Sequence, residues 1–251
     1  MKNGFNILEY KNNNSKEENR KRRKGITLAE VLIAATIIGV TAKLLVPSIY
    51  WSIKKLKLTS RYTKSYSEMS QCIKTAERRE SNFSTWIWAD DEQVFNQYFK
   101  PYLRLRKVCG KGANVDCGSN AEYKYLNGSK ASNPFADSYF RFITDDGARW
   151  ALKTNGDCAT NRQYCAMLRV DLNGYEKPNT FGRDVFTFYM LPITNEFVTE
   201  GLFNPTDGSY NPVSGWAKAS YSEINSNCDG KTGTGTYCGA RIVKDGYSMD
   251  Y

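Results

Sequence analysis

Residues 26–47, ITLAEVLIAATIIGVTAKLLVP, constrain this chain more than any other segment. A mostly apolar run of about 20 residues, rising about 1.5 Å per residue as a helix, matches a hydrocarbon core about 30 Å thick. The run begins directly after a cationic block. Residues 1–25 carry Lys2, Lys11, Lys16, Arg20, Lys21, Arg22, Arg23 and Lys24 against Glu9, Glu17 and Glu18, so five of the nine net positive charges lie there. A basic block beside an apolar span is a topology signal: residues 1–25 are expected in the cytoplasm and everything after Pro47 outside. A nucleic-acid surface would instead need a basic stripe with interleaved aromatics in the folded domain. Lys100–Lys111 (KPYLRLRKVCGK) is the one segment of that kind, and nucleic acid is not an expected partner.

Three readings of the N-terminus compete. A cleaved secretory signal would have a shorter apolar core and a small-x-small cleavage site after it, and no such site stands near Pro47. A plain signal anchor leaves Glu30 unexplained. A carboxylate inside a spanning helix costs several kcal/mol unless paired. The third reading supplies the partner. Were the bond after Gly25 cut, Ile26 would carry a free ammonium at the membrane border, and Glu30 of one chain would neutralise that of a neighbour. Breaking such a buried pair is costly, whereas the intact pair mainly sets register.

RRKG followed by ITLAEVLIAATIIGVTAKLLVP resembles the class III signal of type IV pilins and type II secretion pseudopilins. Gly25, Ile26, Thr27, Leu28, Glu30, Gly39 and Pro47 fall at the matching places. The resemblance implies that a prepilin peptidase cuts after Gly25 and methylates Ile26. It also implies that an assembly platform protein and an ATPase draw the subunit from the bacterial inner membrane into a filament of other pilin or pseudopilin subunits. Glu30 and Pro47 become assembly residues. Lys43, where the family is usually apolar, is a departure. It lies about 26 Å along the helix from Ile26, near the outer interface, where a lysine can snorkel. Ala29 and Thr36 are milder departures.

Composition narrows the chemistry. The chain has 251 residues, 41% of them hydrophobic, and no histidine. That excludes Ser-His-Asp and Cys-His catalysis and every histidine-ligated zinc site. Seven cysteines include three close pairs, Cys109/Cys117, Cys158/Cys165 and Cys228/Cys238, with Cys72 left over. None is a CxxC, and short local pairs fit disulfide loops in an oxidising compartment.

Beyond Pro47 the helical stride continues. Ile49, Ile53 and Leu56, then Tyr62, Tyr66, Met69, Ile73 and Ala76, recur every three or four residues, with Lys54, Lys55, Lys57, Arg61 and Lys64 on the other faces. Pro47 removes one backbone hydrogen bond and is expected to bend or loosen the helix, which ends near Glu80–Ser84. The expected organisation is a leader at 1–25, a transmembrane assembly helix at 26–47, an amphipathic stem at 48–84 and an exported domain at 85–251. Residues 85–135 read as irregular, with helical scraps around Asp90–Lys100. From Tyr139 onward YFRFIT, ARWALKT, CAMLRVDL and DVFTFYML predict a four-stranded antiparallel meander with one apolar face. The last 60 residues read as loops. The fold class is α+β and pilin-like: a long N-terminal helix on a small antiparallel sheet, with a loop-rich, disulfide-pinned C-terminal region.

VDLNG-YEKPN-TFGRDVFTFY, Val170–Tyr189, is similar to a stretch of many pseudopilin-like domains. That likeness raises calcium as a candidate cofactor, because the major pseudopilin family binds it in a C-terminal loop. Asp171, Asn173 and Asp184 would be the ligands, although no bidentate Glu stands at EF-hand spacing. The competing view is ordinary Asn-Gly turn chemistry, with no cofactor.

Three function classes follow. The first is a structural prepilin-like subunit of a type II secretion pseudopilus or a type IV pilus. The second is a singly anchored exported binding domain that does not polymerise, for which 17 Tyr and five Trp would supply contacts. The third, an exported enzyme, would rest on Asp145/Asp146, more simply read as a turn.

Overall fold

The computed structural model describes residues 25–113, 117, 121–156, 158, 164–203, 210–211, 215–216 and 218–251. The expected leader, residues 1–24, lies outside the described residues. The architecture is α+β, with helix α1 (Leu28–Glu80) and a six-stranded antiparallel sheet. By contacts the chain divides into two units, residues 1–51 and 52–251.

In the first unit α1 passes through Pro47 without a break in the helix. Its apolar side chains are exposed, among them Leu28, Leu32, Ile33, Ile37, Ile38, Leu44 and Leu45.

The second unit holds the C-terminal part of α1, and there one face is buried. Leu58, Tyr62, Ser65, Met69, Cys72, Ile73 and Ala76 are buried at the expected stride of three and four. The stripe starts later than its pattern suggests: Ile53 and Leu56 remain exposed. Apolar spacing alone does not tell a face that meets its own domain from one left for another molecule.

The sheet runs in the order β1 (Leu105–Gly110), β4 (Phe140–Thr144), β5 (Arg149–Thr154), β6 (Ala166–Asp171), β7 (Val185–Leu191), β8 (Glu196–Thr199). Two short strands, β2 (Tyr123–Lys124) and β3 (Lys130–Ala131), form a separate ribbon. The four-strand expectation is thus corrected to six. β1 was hidden because its LRKVCG has a mostly exposed, basic face and two register shifts against β4. The β4–β5 turn is built as its residues dictate. The Thr144 hydroxyl donates to Asp146 at 2.6 Å, and Gly147 takes φ +89°, a left-handed value that favours glycine.

The single apolar face is corrected too. Every residue of β7 is buried. Phe186, Phe188 and Met190, with Leu168, Val170, Trp150 and Leu152, join the main core with the α1 stem. The opposite face carries smaller clusters, in which Val185 and Ala151 meet Tyr123 and Phe135, and Tyr189 and Leu191 meet Phe203. VFTFYML is apolar at nearly every position, as a strand covered on both faces should be.

The seam between stem and sheet is aromatic. Tyr62 packs edge-on to Phe186 with ring centroids 4.7 Å apart, and Tyr66 stacks on Phe188 at 5.6 Å and on Phe197 at 5.7 Å. Their hydroxyls donate to the carbonyls of Gly239 (3.2 Å) and Phe197 (3.1 Å), which satisfies the polar end of each ring. A Cβ at Gly239 would strike the Thr199 hydroxyl, so glycine permits that approach.

The C-terminal region is less loop-like than expected. After two short paired strands, β9 (Tyr210–Asn211) and β10 (Gly215–Trp216), come two helices, here labelled α3 (Tyr221–Asn227) and α4 (Cys238–Lys244), following the short α2 (Asp91–Val94) upstream. Ser220 and Glu223 form a capping box that starts α3, a signature present in the sequence as S-Y-S-E. Disulfides join Cys109–Cys117, Cys158–Cys165 and Cys228–Cys238, and Cys72 is buried as a free thiol.

Phe188 sits where Tyr62, Tyr66, Trp150 and Phe197 converge. Phe188→Ala should therefore cost about 3–5 kcal/mol, seen as a lower denaturant midpoint. Ile87→Ala, at an exposed position, should change stability by no more than about 0.5 kcal/mol.

Candidate functional site

Two groups of residues were singled out from the sequence, and they lie in different units. The first is the start of α1. Gly25, Ile26 and Thr27 precede the helix, and Glu30 stands in its first turn. The Thr27 backbone N–H and hydroxyl donate to one Glu30 oxygen at 2.8 and 2.9 Å, while the Glu30 N–H donates back to the Thr27 hydroxyl at 3.2 Å. This is a reciprocal capping box, T-L-A-E, and it satisfies donors that the first helical turn leaves without partners. Thr27 as the partner of Glu30 was missed in the sequence, though the Thr-x-x-Glu spacing was there to be read. Within the apolar run Thr36 donates to the Leu32 carbonyl at 2.7 Å and Thr41 to that of Ile37 at 2.9 Å, so these hydroxyls are satisfied by their own helix. Such satisfaction suits a segment bounded by lipid. Among the described residues α1 is the one helix long and apolar enough to cross a membrane, and it fits a single-pass anchor.

The second group lies at the β6–β7 connection. Asp171 ends β6 and Asp184 precedes β7, and both are fully buried. The structure brings them together with Asn173, whose N–H donates to Asp171 at 3.4 Å and whose side-chain amide donates to the Lys177 carbonyl at 3.2 Å. The Asp184 oxygens accept the N–H groups of Asn179 (2.8 Å) and Thr180 (2.6 Å). Asp171 accepts the Tyr123 hydroxyl at 3.1 Å and lies 3.8 Å from the Arg149 guanidinium. Burial raises both carboxyls, Asp184 to about 6, and the charge of Asp184 raises Asp171 further.

Calcium takes about six to eight oxygen ligands, and most oxygens of this connection already accept hydrogen bonds from the protein. The carbonyls of Asp171, Leu172, Asn173, Gly174, Lys177, Pro178, Asn179 and Asp184 each already accept a hydrogen bond. The side-chain oxygens of Asn173 and Asn179 are buried without a partner, two atoms only. Among the described residues no cluster of three or more His, Cys, Asp or Glu could hold a metal ion. Tyr123 and Arg149, which bind the carboxylate here, lie 48 and 22 positions from Asp171, and no local pattern pointed to them.

These features meet in one class of protein. Residues 20–42 match the prokaryotic N-terminal methylation motif, and they end in the exposed apolar helix with its capped start. The chain carries a prepilin-type N-terminal motif like that of type IV pilins. Residues 49–251 match a family of unknown function, DUF6613, and the chain belongs to it. No curated protein and no solved structure matches it.

The raised carboxyl makes a prediction about pH. A carboxyl whose folded-state pKa stands near 6 rather than at its ordinary 3.8 stabilises the fold fully below the ordinary value, and loses that contribution as pH rises through about 6. Asp184→Asn should therefore be most harmful near about pH 4 and least harmful above about pH 7, the gap closing by roughly 1.4 kcal/mol per unit of pKa displacement. Thermal unfolding of wild type and variant across that range measures it. A gap that stays constant, or widens with pH, contradicts the burial argument.

Proposed function

We propose that this chain is a structural, non-enzymatic subunit of a pilus-like filament. It enters the inner membrane with residues 1–25 in the cytoplasm, is cut after Gly25, is methylated on Ile26, and is then drawn into a polymer. The observation that carries this reading is a coincidence at one junction. The methylation motif, the Thr27–Glu30 cap and the exposed apolar helix all meet where Gly25 joins Ile26.

In the single chain Glu30 is occupied by Thr27. In a bundle of such helices the ammonium of a neighbour's Ile26 offers a stronger, charge-assisted partner in a low-dielectric setting. Exchange of the local hydrogen bonds for that ion pair would fix the axial register of one subunit on the next. The same apolar residues would serve as anchor before assembly and as filament core after it. The partners are other pilin or pseudopilin subunits, a prepilin peptidase, an assembly platform protein and its ATPase. Between a type II secretion pseudopilus and a type IV pilus, the likeness of Val170–Tyr189 to pseudopilin domains favours the first.

Intact-mass analysis of the chain recovered from its host membranes should show loss of residues 1–25 and one added methylene on Ile26. Glu30→Ala should leave the domain folded and reduce methylation or filament yield, seen by sheared-filament immunoblotting. Normal filaments from Glu30→Ala would refute the pairing role. A chain that keeps its first residues and never polymerises would indicate an anchored binding domain instead.

A further inference from the structure

The β6–β7 connection is crowded with cationic side chains. Arg149, on β5 directly opposite Asp171 in the sheet register, is fully buried. Its guanidinium donates to the Cys117 carbonyl at 2.6 Å, the Tyr123 hydroxyl at 3.0 Å and the Gly174 carbonyl at 3.3 Å, with the Asp171 carboxylate at 3.8 Å. The rings of Phe135 and Tyr175 flank it, with centroids 4.6 and 4.7 Å from its central carbon. Arg149 therefore collects oxygens from the Cys109–Cys117 disulfide segment, from β2 and from the β6–β7 connection. Two further cations act on the same connection from α1: Arg61 donates to the Leu172 carbonyl at 3.3 Å and Lys54 to that of Lys177 at 3.5 Å. Gly174 holds φ +71°, and a Cβ there would come within 2.8 Å of the Gly147 carbonyl, so the backbone lies tight against the β4–β5 turn.

We infer that the guanidinium of Arg149, supported by Arg61 and Lys54, latches the β6–β7 connection in the place where the pseudopilin likeness suggested a calcium ion. The carbonyls of Leu172, Gly174 and Lys177 and the carboxylate of Asp171 face protein cations, while Asp184 is held by the N–H groups of Asn179 and Thr180. The planar fork of an arginine suits this task, since it reaches several oxygens at fixed angles while its faces lie against aromatic rings. The latch also joins the connection to the outer disulfide segment, so the two order together. Arg141, equally buried on neighbouring β4, holds the same outer layer through the carbonyls of Gly112 and Phe135.

The test uses the full chain in detergent micelles. The thermal midpoint of the wild type should be the same in excess calcium and in EDTA. Terbium(III) should give no saturable, tyrosine-sensitised emission. An upward shift above about 3 °C with calcium, or terbium emission displaced by calcium, would overturn the inference. Arg149→Met should raise amide hydrogen exchange at Tyr123–Leu126 and Gly174–Asn179 together, by about tenfold or more, while the α1 stem stays protected. Arg149→Lys, which keeps the charge without the fork, should fall between. Unchanged exchange in both segments of Arg149→Met would also overturn it. Should Arg149→Met fail to fold, Arg149→Lys and the wild-type metal titrations decide.

Discussion

A charge taken out of water must recover its lost hydration from a partner, and several kcal/mol per ion are at stake when it does not. The polar layout of this chain follows that constraint in two very different solvents. In the folded domain Arg149, Arg141, Asp171 and Asp184 are all buried; Arg149 and Asp171 meet partners from segments distant in sequence, Arg141 reaches back to Gly112, and Asp184 takes the N–H groups of nearby Asn179 and Thr180. In the apolar run Glu30 has only its own helix to turn to, and it takes Thr27. The domain solves the problem by folding other segments around the charge. The helix solves it locally, through the hydroxyl and N–H of a residue three positions away.

That difference gives each region its character. A charge ringed by oxygens from three segments is a fixed point, because moving it breaks several bonds at once. Around Arg149 the sheet, the disulfide segment and the β6–β7 connection form one unit. On the other face of the sheet the aromatic seam of Tyr62, Tyr66, Phe186 and Phe188 clamps the stem by apolar burial, with the tyrosine hydroxyls satisfied on carbonyls. The Glu30 cap, by contrast, is a two-residue device at a helix end, where backbone donors are in surplus. It keeps a carboxylate tolerable in a lone helix without committing it.

Much of this was legible, and the failures have identifiable causes. The stem stripe, the hairpin at Asp145–Gly147, strands β5 to β7 and the three cysteine pairs depend on local spacing, and local spacing is what a sequence displays. The two capping boxes, Thr27/Glu30 and Ser220/Glu223, are equally local, each a Thr or Ser followed three residues later by a Glu. Strand β1 was hidden by its basic, bulged edge character. The second buried face of the sheet was obscured because a strand covered on both sides loses its alternation.

By itself the sequence determined that a basic segment precedes an apolar helix with an acid in its first turn, that an amphipathic stem follows, and that an antiparallel sheet with close cysteine pairs completes the chain. These properties arise from neighbours along the chain, through periodicity and charge order. Only the tertiary structure decided what fills the space around Asp171. The answer there is an arginine on another strand, a tyrosine on a separate ribbon and a carbonyl beside a disulfide. Long-range oxygen and charge contacts of that kind leave no periodic trace, because any buried cation of suitable reach would satisfy the same carboxylate.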